Sequence, residues 1–65
     1  MNVYFEVHYA DRRTGEGGIC QRSFTGDLRG LRSAWYFARV QSGLHLHLLH
    51  WVKTRPVPAQ PLDAA

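Results

Sequence analysis

From Asn2 to Ala10 the side chains alternate, with Val3, Phe5, Val7 and Tyr9 on one side and Tyr4, Glu6 and His8 on the other. Successive side chains of an extended strand point to opposite faces, so a period of two specifies a strand with one face turned to a core. The chain has 65 residues, which is room for a single core. A domain of this size buries only about 60% of the surface its unfolded chain exposes, near the lower limit for folding alone. Small chains commonly gain stability from disulfides or metals, but Cys20 is the only cysteine, so no internal bridge forms. A lone cysteine fits a reducing, cytoplasmic compartment. The first residues lack the basic segment, apolar run and small-residue cleavage site of a secretory signal, so export is not expected. The longest apolar stretch, Leu44 to Val52, is broken by His45, His47 and His50 and is too short to cross a bilayer, so no membrane partner is expected.

The segment Asp11 to Gly18 is polar and contains three glycines, as suits a hairpin longer than the minimal turn. A second strand is expected from about Gly18 to Phe24. Gln21, Arg22 and Ser23 give it little apolar surface, which suits a sheet edge and leaves open which of its faces is buried. Thr25 and Asp27 are both able to cap a helix start, and a helix is expected from Asp27 to Gln41, stopped by Ser42-Gly43. On a helical wheel Leu31, Ala34, Ala38 and Gln41 share one face, with Leu28, Trp35 and Phe37 along its flanks. Small residues at Ala34 and Ala38 let the helix axis approach a sheet, and Gly30 inside the helix points to close packing there. Alternation resumes from Leu44 to Thr54, which predicts a third strand with Leu44, Leu46 and Leu48 on one side and His45, His47 and Leu49 on the other. Three prolines follow, at 56, 58 and 61, and favour an extended tail.

These elements define an α+β domain, ββαβ, in which a three-stranded antiparallel sheet of order 2-1-3 carries one helix on one face. That order places the most apolar strand at the centre and avoids a parallel pair. Residues 1–55 are expected to form the single domain and 56–65 a disordered proline-rich tail.

Two surfaces remain. The reverse face of the sheet is expected to carry Tyr4, Glu6 and His8 beside His45, His47, Leu49 and Trp51, leaving Tyr4 and Trp51 partly exposed. An apolar patch on a small monomer marks an interface, including one with a second copy in a homodimer. The outward helix face clusters Arg29, Arg32, Tyr36 and Arg39, with Trp35 on the adjoining flank. The net charge is +3, and arginine supplies all but one of the eight basic residues. Guanidinium groups make planar, bidentate contacts with carboxylates and phosphates, so this composition favours an acidic partner. Arg12 and Arg13 in the hairpin loop, with Arg22, Lys53 and Arg55, extend the positive surface. No zinc-finger spacing, RNP aromatic pair or GXXG loop accompanies it.

His8, His45 and His47 would meet on one sheet face if both strands run as expected, but four ligands with supporting partners are not identifiable, and neither metal nor cofactor is assigned. Gly15-Glu16-Gly17-Gly18 lacks the following lysine and helix of a phosphate loop, and Cys20 reads as a packing residue. No catalytic residue is assigned.

The glycine-rich hairpin at Asp11 to Gly18, the helix opening at Thr25-Gly26-Asp27-Leu28 and the return strand Leu44-His45-Leu46-His47-Leu48 together resemble small phage-encoded proteins, anti-CRISPR proteins among them. The resemblance covers most of the chain and lies in size and layout. It implies a non-enzymatic inhibitor or adaptor in the host cytoplasm that occludes a host protein or ribonucleoprotein complex. It carries over no functional residue. Direct binding of DNA or RNA by the basic helix face and hairpin loop is the other expectation.

Overall fold

In a computed structural model, which describes residues 2–57, the chain runs β1 (Val3–Asp11), β2 (Gly17–Thr25), α1 (Leu28–Leu44) and β3 (Leu48–Pro56). The strands form one antiparallel sheet in the order β2-β1-β3, with α1 on one face. This is the expected ββαβ layout. Residues 58–65, most of the expected tail, lie outside the described residues.

β1 is central because its two faces do different work. Phe5 and Val7 point to the helix and are buried, while Tyr4, Glu6 and His8 line the open face. Pairing with β3 is regular from Val3 opposite Pro56 to Asp11 opposite Leu48. Pairing with β2 is not. Glu6 faces Ser23 and His8 faces Ile19, so Cys20, Gln21 and Arg22 together span the place of Val7 alone. Two extra residues make one full strand period, so the bulge bends β2 without exchanging its faces. Phe24 and Cys20 therefore both reach the core.

The hairpin turns at Gly15, whose φ of 80° lies in the left-handed region that glycine tolerates. Asp11 organises the turn, its carboxylate accepting from the Arg13 and Thr14 amides at 2.7 and 3.1 Å. The helix begins on Asp27, whose Oδ1 accepts from the Gly30 amide at 2.7 Å and from the Thr25 hydroxyl at 2.9 Å. Ala34 and Ala38 are buried against the sheet, and Leu31, Phe37, Val52 and Cys20 pack around them. Gly30 is buried as well, and a Cβ there would overlap the Thr25 carbonyl. Close packing at Gly30 is thus the joint between the end of β2 and the first turn of α1.

The third strand begins four residues later than the alternation predicts. α1 continues through Gly43 to Leu44, and residues 45–47 form a turn closed by the Leu48 amide donating to the His45 carbonyl. Two interactions favour this outcome. The Ser42 hydroxyl meets His50 Nδ1 at 3.1 Å, tying the last helical turn to β3. Arg12 holds the turn from the hairpin side, its amide and Nε donating to the carbonyls of His47 and Leu46. Leu44 and Leu46 are consequently exposed rather than strand residues. At its other end β3 runs to Pro56, where an edge strand tolerates a residue without an N–H.

Gly30→Ala should destabilise the fold by about 2 kcal/mol, although alanine is the better helix former, because the added methyl has no space; urea denaturation against the parent chain measures it. The Asp27 carboxyl is held below its usual value of 3.8 mainly by the Gly30 amide, with the Thr25 hydroxyl adding. Its contribution is therefore complete above that value and is lost as pH falls through the lower, folded-state value. Asp27→Ala should melt below the parent at neutral pH, and the gap in melting temperature should close on acidification to roughly pH 2.

Candidate binding surface

Over its 17 residues the helix carries arginine as its sole ionic residue type, at Arg29, Arg32 and Arg39, and no acid. At about 100° per residue these three and Tyr36 fall within a quarter-turn. All four are exposed, Tyr36 to 72%. The opposite side of the wheel carries Ala34 and Ala38, so burying the alanines necessarily turns the arginines outward.

The charge around this face is one-sided. Between Gly17 and Leu44 the only acid is Asp27, and its carboxylate caps the helix and lies within electrostatic reach of Arg29. Among the described residues the ion pairs are those of Glu6 with His8 and Arg55, on the other face of the sheet. Arg22, Arg32 and Arg39 therefore have no carboxylate to neutralise them among the described residues.

Beside this face lies an open groove of about 670 Å³ between β2 and α1, lined by Arg22 and Phe24 from the strand and by Arg32, Tyr36, Phe37 and Val40 among the helix residues. Phe24 and Phe37 form its floor, with ring centroids 5.7 Å apart and planes tilted by 50°. The Arg22 guanidinium sits 5.1 Å from the Phe24 centroid and 5.4 Å from that of Phe37. Attraction of a cation to ring faces holds Arg22 in place without neutralising it. A smaller depression, lined by Leu28, Arg29, Arg32 and Ser33, shares Arg32 and Ser33 with the groove and extends it toward the helix start.

The residues singled out in the sequence occupy four separate places. Arg29, Arg32, Tyr36 and Arg39 share the outer helix face. Trp35, 46% exposed, lies on the same wheel flank as Ser42, which bonds to β3, and thus away from the groove. Arg12 and Arg13 are at the hairpin end, where Arg12 is engaged with the turn after α1. Tyr4 and Trp51 are on the open sheet face, but not opposite one another: Tyr4 faces Arg55 and Trp51 faces His8. There the Tyr4 hydroxyl donates to Glu6 Oε2 at 3.2 Å, His8 Nε2 meets Oε1 at 3.0 Å, and the Trp51 ring lies 6.0 Å from that of His8. The hydrogen bond with His8 is the main cause that lowers the Glu6 carboxyl, opposed by partial burial and aided by Tyr4 and Arg55.

The expected meeting of His8, His45 and His47 does not occur. His8 is on β1, whereas His45 and His47 are in the turn before β3, with their rings 6.2 Å apart. No cluster of three metal-ligating side chains exists among the described residues. His50 faces the helix side, where burial, with a smaller effect from His45, lowers its pKa. Burial pushes the Cys20 thiol up, away from the activated thiolate that nucleophilic chemistry requires.

The groove itself was not apparent in the sequence, although Arg22, Phe24 and Phe37 were each visible there. The available signal was that Arg22 and Phe24 share strand parity while Phe37, Val40 and Gln41 follow helical spacing. Joining them requires knowing which face of β2 is buried.

Comparisons with protein-family models, curated proteins and solved structures returned no match. Among the described residues no helix is long and apolar enough to cross a membrane.

Proposed function

We propose that this chain is a small non-enzymatic binding protein that docks on an acidic surface of a host protein or nucleoprotein complex through Arg29, Arg32, Tyr36 and Arg39. The observation that carries this reading is the outer face of α1, whose arginines have no carboxylate partner among the described residues apart from the reach of Asp27 to Arg29. Arginine and tyrosine are also the residue types that most often supply the energetic anchors of protein interfaces. Action as an inhibitor or adaptor follows the anti-CRISPR proteins that the chain resembles in size and layout, and the lone Cys20 suits the cytoplasm. Exposed Ile19, Leu49 and Trp51 on the open sheet face support self-association as an additional contact.

The test is capture from nuclease-treated host-cell extract by the parent chain and by the triple variant Arg32→Glu, Tyr36→Ala, Arg39→Glu. All three positions are exposed, so the variant should keep its melting curve. A defined protein or nuclease-resistant complex should be retained by the parent and lost by the variant at least tenfold. Equal capture by both would move the interface elsewhere.

A second reading, direct binding of DNA or RNA, is favoured by the same unpaired guanidinium groups with Tyr36 available for stacking. It requires a mobility shift with duplex or single strands that weakens steeply with salt, in proportion to the phosphates contacted. Titrations at two salt concentrations without any shift would remove it.

A further inference from the structure

We infer that the groove between β2 and α1 is a receptor site for a short acidic peptide segment of a partner, with apolar side chains entering between acidic ones. The inference rests on the docking function proposed above and specifies what part of a partner is held.

Charge complementarity sets the sign of the occupant. Arg22 and Arg32 both line the groove, and neither has a carboxylate partner among the described residues. Arg22 is held in place by Phe24 and Phe37, so its guanidinium is a positioned cation rather than a freely moving one. A carboxylate reaching it would gain a charge-assisted hydrogen bond with little further ordering of the arginine.

The floor favours a peptide over a nucleic acid, since the one well-exposed ring in the lining, Tyr36, stands at the rim on the outer helix face. Stacking a base requires a free aromatic face. Phe24 is buried, Phe37 is half-buried and tilted against it, and the Arg22 guanidinium lies over both rings. Their faces are already used. What the floor leaves accessible beside Tyr36 is the apolar edge completed by Val40, 40% exposed, which suits insertion of an aliphatic or aromatic side chain. A volume of about 670 Å³ accommodates such a side chain with its neighbours.

The length follows from the helix. From Leu28, in the adjoining depression, to Gln41 at the far end, the axis advances about 20 Å at 1.5 Å per residue. An extended peptide covers that distance with roughly six residues. Along this path Leu28 is followed by Arg29 and Arg32 and then by Phe37 and Val40, with Arg22 over the Phe37 ring. The pattern matches a segment in which one or two apolar residues stand next to acids.

The experiment is fluorescence anisotropy with the full chain and a fluorescein-labelled octapeptide carrying leucine and phenylalanine between two pairs of glutamates. Controls replace the two apolar residues by serines or the glutamates by lysines, and a labelled single-stranded oligonucleotide of eight bases serves as a third probe. The acidic apolar peptide should bind, the serine form at least fivefold more weakly, and the lysine form not at all. Arg22→Glu and Val40→Glu should each weaken binding at least tenfold; both sites are exposed, and thermal melts verify that the variants fold. Equal binding of the serine form, indifference to both substitutions, absence of peptide binding, or binding of the oligonucleotide alone would each overturn the groove assignment. Capture of a host complex that depends on Arg32, Tyr36 and Arg39 but survives Arg22→Glu and Val40→Glu would sink the groove while leaving the docking function standing. Loss of dependence on the outer helix residues, with peptide binding intact, would do the reverse.

Discussion

The contact of Ala34 and Ala38 with the central strand is the constraint on which the rest of the molecule depends. Val7 has no exposed surface, and it is the largest side chain so enclosed. Only residues as small as alanine let a helix axis come close enough to close over it, while Phe24, Phe37 and Leu31 fill the space at the sides. The same approach makes Gly30 necessary, since the helix start must pass against the Thr25 carbonyl. A helix seated this way has its orientation about its own axis decided. With the alanines inward, Arg29, Arg32, Tyr36 and Arg39 have nowhere to go but solvent, and Phe37 is left at the border with β2.

One helix covers one face of three strands, and this leaves the molecule with two chemically different exteriors. On the open sheet face charge is largely balanced locally, because Glu6 collects the Tyr4 hydroxyl, His8 and Arg55 around one carboxylate. On the helix side the acids are spent on structure. Asp27 caps α1 and Asp11 shapes the hairpin, each with backbone amides as principal partners. Carboxylates used in this manner do little to neutralise distant arginines. The positive helix face is therefore a consequence of how few acids the chain has and where its turns need them, and that imbalance is what an acidic partner would satisfy.

Much of the architecture was legible in the pattern of residues. β1 was readable because alternation extends through Val3, Phe5, Val7 and Tyr9, and its apolar character placed it at the centre. The helix was readable because Asp27 and the alanine spacing mark its start and its buried stripe. The start of β3 was not, because Leu44-His45-Leu46-His47 alternates just as a strand would. Sequence periodicity cannot register that Ser42 bonds His50, or that Arg12 reaches across from the hairpin to occupy the carbonyls of residues 46 and 47. These are contacts between different elements, which the period of any single element does not encode. The histidine cluster expected on the open face disappeared with that strand start.

The outer helix face and the groove show the same division between local and non-local information. Grouping Arg29, Arg32, Tyr36 and Arg39 takes only the helical period, so that cluster was visible from spacing alone. The groove takes two elements and the register between them. Phe24 stands opposite Phe5 and Ser23 opposite Glu6, so Arg22, which shares the parity of Phe24, lies on the helix side of β2. Had the bulge contained one extra residue, Cys20 would have turned to the open face and Ile19 to the helix side, and both faces would have lost their pattern. A two-residue insertion preserves both, bending the strand while leaving its side-chain parity intact, so Cys20 joins the core on the same side of β2 as Arg22 and Phe24.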